Sequence, residues 1–255
     1  MWQSDFTHWQ LADGSVVEIL NYIDDHSRFL LGCTAFHRVK GADVVQTFYE
    51  ACNAHGFPAS LLTDNGAVYT GRTRKGKIFF ETELERLGIV FKHSTPYHPQ
   101  TCGKVERFHQ TLKRFLAKQP PAHSYSELQQ QLDTFRQYYN HHRPHRALGG
   151  ETPLAAFNAR IKARAANPAP TTYFRVRLDK VSKAGNVTVR YLGKLRHIGL
   201  PRANRGRSIR LLIADDYVRV LGDDGELIRE LKIDPTRDYQ PLNQIGHYVP
   251  QQRAL

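Results

Sequence analysis

The first thirty-six residues hold three strand-like runs whose links are too short for anything but hairpins, and this constrains the fold more than any other feature. Residues 2–9 and 16–23 flank the turn-forming Ala12-Asp13-Gly14-Ser15, and residues 24–28 make a tight connection into 29–36. Links of this length give an antiparallel meander. The period then changes. Across 41–55, Val44, Val45, Phe48, Tyr49 and Cys52 recur at helical spacing until Gly56-Phe57-Pro58 stops the helix, and 59–63 is a short apolar strand. A strand reached through a helix pairs in parallel, so the sheet is expected to be mixed.

Residues 70–77 form a polar, basic loop with the character of an insertion, followed by a helix over 79–87 and a strand over 89–92. A helical pattern runs from 101 to 118, Pro120-Pro121 breaks it, and a second runs over 125–141 with Leu128, Leu132, Phe135 and Tyr139 on one face. After Pro153 a short helix carries Leu154 to Phe157. The Ala- and Pro-rich stretch that follows divides the chain into a first domain at 1–160, a linker at 161–171, a second domain at 172–234 and a tail at 235–255. The second domain alternates in short strands at 173–181, 186–191, 194–200, 208–214, 217–221 and 226–231, the pattern of a small β-barrel. The tail has little periodicity and is expected to lack regular structure.

Charge narrows the partners. The formal net charge is +12 with a pI near 9.7, and a surplus of Lys and Arg attracts a phosphate backbone. It is unevenly spread: residues 1–150 hold 17 basic side chains against 14 acids, whereas 160–210 hold 14 against the single acid Asp179. No apolar run approaches the roughly 18 residues that span a bilayer, and Asp5, Asp13 and Glu18 spoil a signal peptide. A cytoplasmic address is expected. Cys33, Cys52 and Cys102 form no metal or disulfide pattern and read as reduced thiols.

Three acids sit in informative words. Asp5 interrupts the strand-like WQSDFT at 2–7, and an acid in a strand interior is costly unless it is paired or holds a metal. Asp64 ends the strand in LLTDNG at 61–66, which also reads as an Asp-Asn-Gly turn. Glu106 lies in the first turns of GKVERFHQTLK at 103–113, where a surface Glu balanced by Arg107 and Lys113 is the plain alternative. Asp24 and Asp25 read as turn residues, His93 and His98 as loop-structuring side chains, and Asn65 and Gly66 as support for Asp64. Gly66 would let a nucleic-acid backbone approach closely.

Together with STPYHPQT at 94–101, IDDHSR at 23–28 and YNHHRPHRALGG at 139–150, these words resemble the integrase-like transposases of bacterial insertion sequences and the retroviral integrases, over about residues 2–157. The resemblance implies an α/β fold: a ribonuclease-H-like core with a mixed five-stranded sheet and flanking helices, followed by a small SH3-like β-barrel. It implies that Asp5, on the central strand, Asp64, ending the adjacent strand, and Glu106 form a catalytic, metal-binding triad. Two Mg²⁺ ions would be the cofactor, with Mn²⁺ able to substitute. The implied reactions are cleavage at transposon ends and 3′-hydroxyl strand transfer into target DNA, by a homo-oligomer assembled on double-stranded DNA. Asp5 and Asp64 are 59 residues apart, and 41 residues separate Asp64 from Glu106. The latter interval is longer than in many relatives, and the 70–77 loop accounts for the excess.

The same resemblance assigns DNA contacts to Gln110 and Lys113, which share a helix face with Glu106; Lys104 and Arg107 beside them divide evenly between phosphate contact and a solvated helix face. Arg143 and Arg146, in the 139–150 signature, divide evenly between DNA contact and packing, as does His145. In the second domain Arg175, Arg177, Arg190, Lys194, Arg196 and Arg210 alternate with apolar residues and are expected to form one basic face. Relatives carry helix-turn-helix or zinc-binding domains ahead of the core, and here Met1 stands four residues before Asp5, so recognition of specific ends is expected to be impaired or supplied by another chain. Two rivals remain: a non-catalytic DNA-binding or assembly subunit, which would not need three acids, and a metal-dependent nuclease of the same fold.

Overall fold

The computed structural model describes residues 1–71, 78–93, 103–166 and 175–242. His98, Cys102 and most of the basic 70–77 loop lie outside them. The chain divides into two compact units, 1–171 and 172–255.

The first unit is built on a five-stranded sheet in the order β3-β2-β1-β4-β5. Strands β1 (Trp2–Gln10), β2 (Val16–Asp24) and β3 (Leu30–Phe36) form the expected antiparallel meander, and β4 (Ser60–Thr63) and β5 (Val90–His93) add in parallel beside β1. Helix α1 (Gly41–His55) supplies the crossover from β3 to β4, and α2 (Phe79–Arg86) the one from β4 to β5. The segment before α2 is tied at both ends by one carboxylate: Glu81 accepts from Thr70 Oγ1 at 2.8 Å, Gly71 N–H at 2.9 Å and Ile78 N–H at 3.0 Å.

Strand β2 is buried on both faces, and its two parities serve different layers. Val17, Ile19 and Ile23 join a core with Val105, Phe108, Leu112 and Leu116 of α3 (Gly103–Leu116) and Leu128, Leu132, Phe135 and Tyr139 of α4 (Tyr125–His141). On the opposite parity Tyr22 donates its hydroxyl to the Val44 carbonyl of α1 at 3.0 Å and packs on Phe48. Each such apolar side chain contributes roughly 1.5–3 kcal/mol by leaving water. The short helix α5 (Pro153–Asn158) starts at Thr152, whose hydroxyl caps Ala155 N–H, and stacks Phe157 on Phe29.

Strand β3 lies at the sheet's edge, where unpaired backbone groups are a liability. Two amide side chains of α4 take the place of a neighbouring strand. Gln129 accepts from Ala35 N–H at 3.1 Å and donates to the Cys33 carbonyl at 3.0 Å, while Asn140 accepts from Leu30 N–H at 2.8 Å and donates to the Leu30 carbonyl at 3.0 Å. Asn140, from the 139–150 signature, is thus a structural residue that staples α4 to the sheet.

The second unit contains β6 (Arg175–Lys180), β7 (Asn186–Tyr191), β8 (Lys194–Gly199), β9 (Ser208–Ala214), β10 (Tyr217–Gly222), β11 (Leu227–Lys232) and β12 (Tyr239–Gln240). They form one sheet in the order β11-β10-β9-β6 and another in the order β12-β8-β7, around a core that includes Val187, Val189, Ile198, Leu211, Val218, Val220 and Leu231. Two expectations need correction. The tail is structured at least as far as β12, which pairs in parallel with β8 and buries Gln240 completely. The stretch expected to be a linker is partly laid on the first unit: Arg164 bridges Pro58, and Ala166 N–H donates to the Gly88 carbonyl at 3.3 Å. Their backbone partners, distant in sequence, leave no local pattern.

The Gln129→Leu/Asn140→Leu double variant keeps the helix propensity and volume of α4 but leaves the Leu30, Cys33 and Ala35 backbone groups without partners. Thermal unfolding should show a loss of about 2–5 kcal/mol, with greater aggregation on heating through the bared edge. An unchanged melting temperature would refute the edge-capping role.

Candidate active site

The two strand acids are brought together by register. In the parallel ladder between β1 and β4, Trp2 pairs with Leu61 and Gln3 with Leu62, an offset of 59 residues. That offset equals the interval from Asp5 to Asp64, so continuing the ladder sets the two acids side by side on one face. Adjacent strands lie roughly 4.8 Å apart.

Helix α3 carries Glu106 within electrostatic reach of Asp5. Its first turn is pinned by Lys104, whose ammonium sits 2.7 and 2.8 Å from the two carboxylate oxygens of Asp25, which also accepts from Gln3 Nε2 at 2.7 Å. Val105, Phe108, Leu112 and Leu116 then fill the core, which leaves Glu106 exposed and turns His109 toward β1. His109 Nδ1 lies 3.9 Å from Asp5 Oδ2, and its Nε2 lies 3.1 Å from Asn21 Nδ2. Asn21 is the residue paired with Asp5 across β1 and β2.

The acids influence one another electrostatically. The Asp5 carboxyl is pushed up to about 7 by burial first and then by the Asp64 and Glu106 carboxylates, against the opposing hydrogen bond from Phe6 N–H at 2.8 Å. Burial and the Lys113 ammonium lower His109 to about 4, so its imidazole is neutral at physiological pH. Asp64 ends β4 in an Asx turn, its Oδ1 accepting from Gly66 N–H at 2.9 Å. A Cβ at Gly66 would meet that oxygen at 2.9 Å. The glycine therefore makes room for the Asp64 carboxylate itself, not only for an approaching strand of DNA. Just beyond, the fully buried Tyr69 holds its hydroxyl 3.0 Å from Ser4 Oγ, tying the loop after Asp64 to the residue before Asp5.

Among the described residues no three His, Cys, Asp or Glu side chains are arranged to hold a metal ion. The donor chemistry nevertheless fits a hard divalent cation, because the Asp64 and Glu106 carboxylates act electrostatically on Asp5 and carboxylate oxygens are hard donors whose mutual repulsion a cation would relieve. Mg²⁺ commonly takes only one or two carboxylates and completes its shell with water and substrate phosphate.

Other sequence expectations meet mixed geometry. Lys104 is committed to Asp25, which stands in the expected turn and also serves as this anchor; Asp24 organises the turn, accepting from Ser27 N–H and Oγ at 2.8 Å each. Arg107 and Gln110 are exposed and bonded to each other at 3.0 Å, and Lys113 is exposed. Arg143 lies 5.7 Å over the Tyr139 ring, and Arg146 is exposed. His93 packs edge-on against Phe91. In the second unit the single basic face does not form as expected. Arg196 is buried and held by Asp238 and the Pro235 carbonyl, Arg210 is buried, and Arg177 is tied to Asp179 and the Thr188 carbonyl. Arg175, Arg190 and Lys194 are exposed, with Arg190 bonded to the Gly193 carbonyl at 2.9 Å. Sequence reading missed His109 and Asn21; the available signal was a polar Asn amid the apolar run of β2.

Two family models, both described as integrase core domain, match residues 1–99 and 87–153. A 39.2 kDa protein of insertion element IS476 from Xanthomonas euvesicatoria is 27% identical over 66% of this chain and 46% of its own length. A 31.7 kDa protein of insertion element IS407 from Burkholderia multivorans is 24% identical over 66% of this chain and 58% of its own. The chain thus spans about half the length of these relatives. Among solved structures, a chain of a simian T-cell lymphotropic virus intasome bound to the PP2A regulatory subunit B56 gamma superposes with a TM-score of 0.52. That match is 18% identical and covers 92% of this chain and 78% of the other, a likeness of fold alone. With integrase core models that overlap at residues 87–99 and together run from residue 1 to residue 153, and with insertion-element proteins as relatives, the chain belongs to the integrase-like transposases of the retroviral integrase superfamily.

Proposed function

We propose that this chain cleaves DNA at transposon ends and joins the freed 3′ hydroxyl to target DNA, with Asp5, Asp64 and Glu106 as its metal-binding catalytic triad. The observation that best supports the reading is the β1–β4 register, whose offset of 59 residues equals the interval from Asp5 to Asp64, together with the electrostatic influence of Asp64 and Glu106 on Asp5. Asp5, Asp64 and Glu106 would hold two divalent ions, whose chemistry when bound would be to acidify the attacking water or 3′ hydroxyl and to offset charge developing on the phosphodiester. The protein's own part is positional. Phe6 N–H and Gly66 N–H each hold one oxygen of a strand carboxylate, and the Lys104–Asp25 pair fixes the first turn of α3. Lys113, Arg107 and Gln110, exposed on α3, are suited to grip DNA ends, and Arg175, Arg190 and Lys194 offer phosphate contacts on a second unit read as SH3-like. Assembly as a homo-oligomer on DNA completes the proposal; Mg²⁺ would be the natural ion and Mn²⁺ a substitute.

Incubation with Mg²⁺ or Mn²⁺, a pre-nicked element end and a plasmid should yield joined product, and Glu106→Gln should reduce it at least about a hundredfold while leaving DNA binding intact. Cleavage without joining would identify a nuclease. Binding without reaction in either protein would sink the catalytic reading.

Asp5→Asn should separate stability from activity. An acid whose folded pKa is raised destabilises the fold as pH climbs from its unfolded value of 3.8 through about 7, and the penalty is complete above that. With about a quarter of the side chain exposed, the discounted gain from removing the charge is on the order of 1–2 kcal/mol at pH 8. Metal-free Asp5→Asn should therefore melt a few degrees higher than wild type at pH 8 and equally near pH 4, while being inactive. A lower melting point at pH 8 would contradict the crowded-carboxylate account.

A further inference from the structure

The geometry points to His109 as a positioning residue for the Asp5 carboxylate, held in the required tautomer by Asn21. The inference rests on the proposed function only in taking Asp5 to be a metal ligand. Its starting point is a cost. Asn21 is fully buried on the face of β2 that otherwise shows Val17, Ile19 and Ile23 to the α3–α4 core. Its Oδ1 is buried without a hydrogen-bond partner among the described residues. A leucine there would suit the fold better, since an unsatisfied buried amide oxygen is destabilising.

What the amide accomplishes follows from its other end. Nδ2 lies 3.0 Å from the Ile19 carbonyl and 3.1 Å from His109 Nε2. A carbonyl can only accept, so the end facing it must be the nitrogen, which excludes the flipped amide. The second N–H then points at Nε2, and Nε2 must accept it. A neutral imidazole that accepts at one nitrogen carries its proton on the other. His109 therefore presents Nδ1–H toward Asp5 Oδ2, 3.9 Å away. The other Asp5 oxygen already accepts from Phe6 N–H. The carboxylate is thus faced by donors on both oxygens, and its plane is defined between them.

At 3.9 Å the imidazole contact is an electrostatic alignment and not yet a hydrogen bond; such contacts tighten when an active site is loaded. The opposite tautomer would turn a lone pair toward the carboxylate and repel it. Asn21 therefore decides the sign of the interaction between α3 and Asp5. Partners behind a metal ligand typically change ion affinity about 10–100-fold.

The test starts with the metal-free full chain, where long-range ¹H–¹⁵N spectra of the His109 ring at pH 7.5 should show a protonated Nδ1 and a bare Nε2. Asn21→Leu should fold, with an equal or higher melting temperature, and show a mixture of tautomers. A wild-type ring protonated at Nε2, or one unchanged in Asn21→Leu, overturns the inference, and the wild-type spectrum decides even if the variant does not fold. Mn²⁺ binding, followed by loss of the free-ion paramagnetic resonance signal, gives a second readout. His109→Leu should weaken it about tenfold or more, whereas His109→Asn, whose amide nitrogen can occupy the Nδ1 position, should stay within about threefold of wild type. Equal loss in both refutes positioning. If wild type binds no Mn²⁺, the proposed function fails, and the ring's nitrogen shifts still settle the tautomer.

Discussion

Parallel pairing between β1 and β4 is the constraint on which the rest of this molecule depends. A parallel neighbour cannot be reached by a hairpin, so the chain must cross over through α1, and the length of that crossover sets which residue of β4 meets which residue of β1. The observed offset of 59 residues aligns Asp5 with Asp64. A slip of one residue would turn every side chain of β4 to the other face and move Asp64 away from Asp5. Because Leu61 and Leu62 are buried on opposite faces of β4, burial alone leaves that slip open, and the length of the crossover through α1 has to exclude it.

The third acid depends on a different kind of restraint. Glu106 is exposed, so no burial of its own holds it; it is placed by neighbours on the same helix. Val105 and Phe108 are packed in the core, and Lys104 reaches the Asp25 carboxylate at the end of β2. A charged anchor beside an apolar one defines both the rotation and the axial position of α3. The price is that Lys104, although basic and near the site, is spent on architecture.

The sequence was most legible where one local physical rule decides the outcome. Helices α1 and α4 begin and end where periodicity and stop signals place them, and the strands of the meander follow from hairpin links too short for any alternative. Asp5 stood out because a carboxylate is costly inside a strand, and Asp64 and Glu106 through the words around them. What could not be read is what distance in sequence hides. Asp25 reads as half of a turn doublet until α3 brings Lys104 to it from 79 residues away, and Asn140 reads as part of a signature until the open edge of β3 is seen to need it. The basic second unit fails in the same way: alternation places Arg196 and Arg210 on strands, but only tertiary packing shows that both are buried. Net charge reports how many cations there are, not how many reach solvent.

The unsatisfied polar atoms show where folding has yielded to something else. Gln3 Oε1 on β1, Asn21 Oδ1 on β2 and His93 Nδ1 at the end of β5 are buried without partners among the described residues. All three belong to the same sheet, Gln3 two residues from Asp5 on its own strand and Asn21 opposite Asp5 across the ladder. Apolar replacements would fill these positions at lower cost. Two of the three have their other end engaged: Gln3 with Asp25, which anchors α3, and Asn21 with His109, which faces Asp5. Strain of this kind persists only when the surrounding structure over-determines it, and here the β2 face that tolerates Asn21 is supplied by Val17, Ile19 and Ile23 packed beneath two helices. The apolar core is therefore not separate from the chemistry: its surplus stability lets β1 and β2 carry polar groups that a sheet optimised for folding alone would have lost.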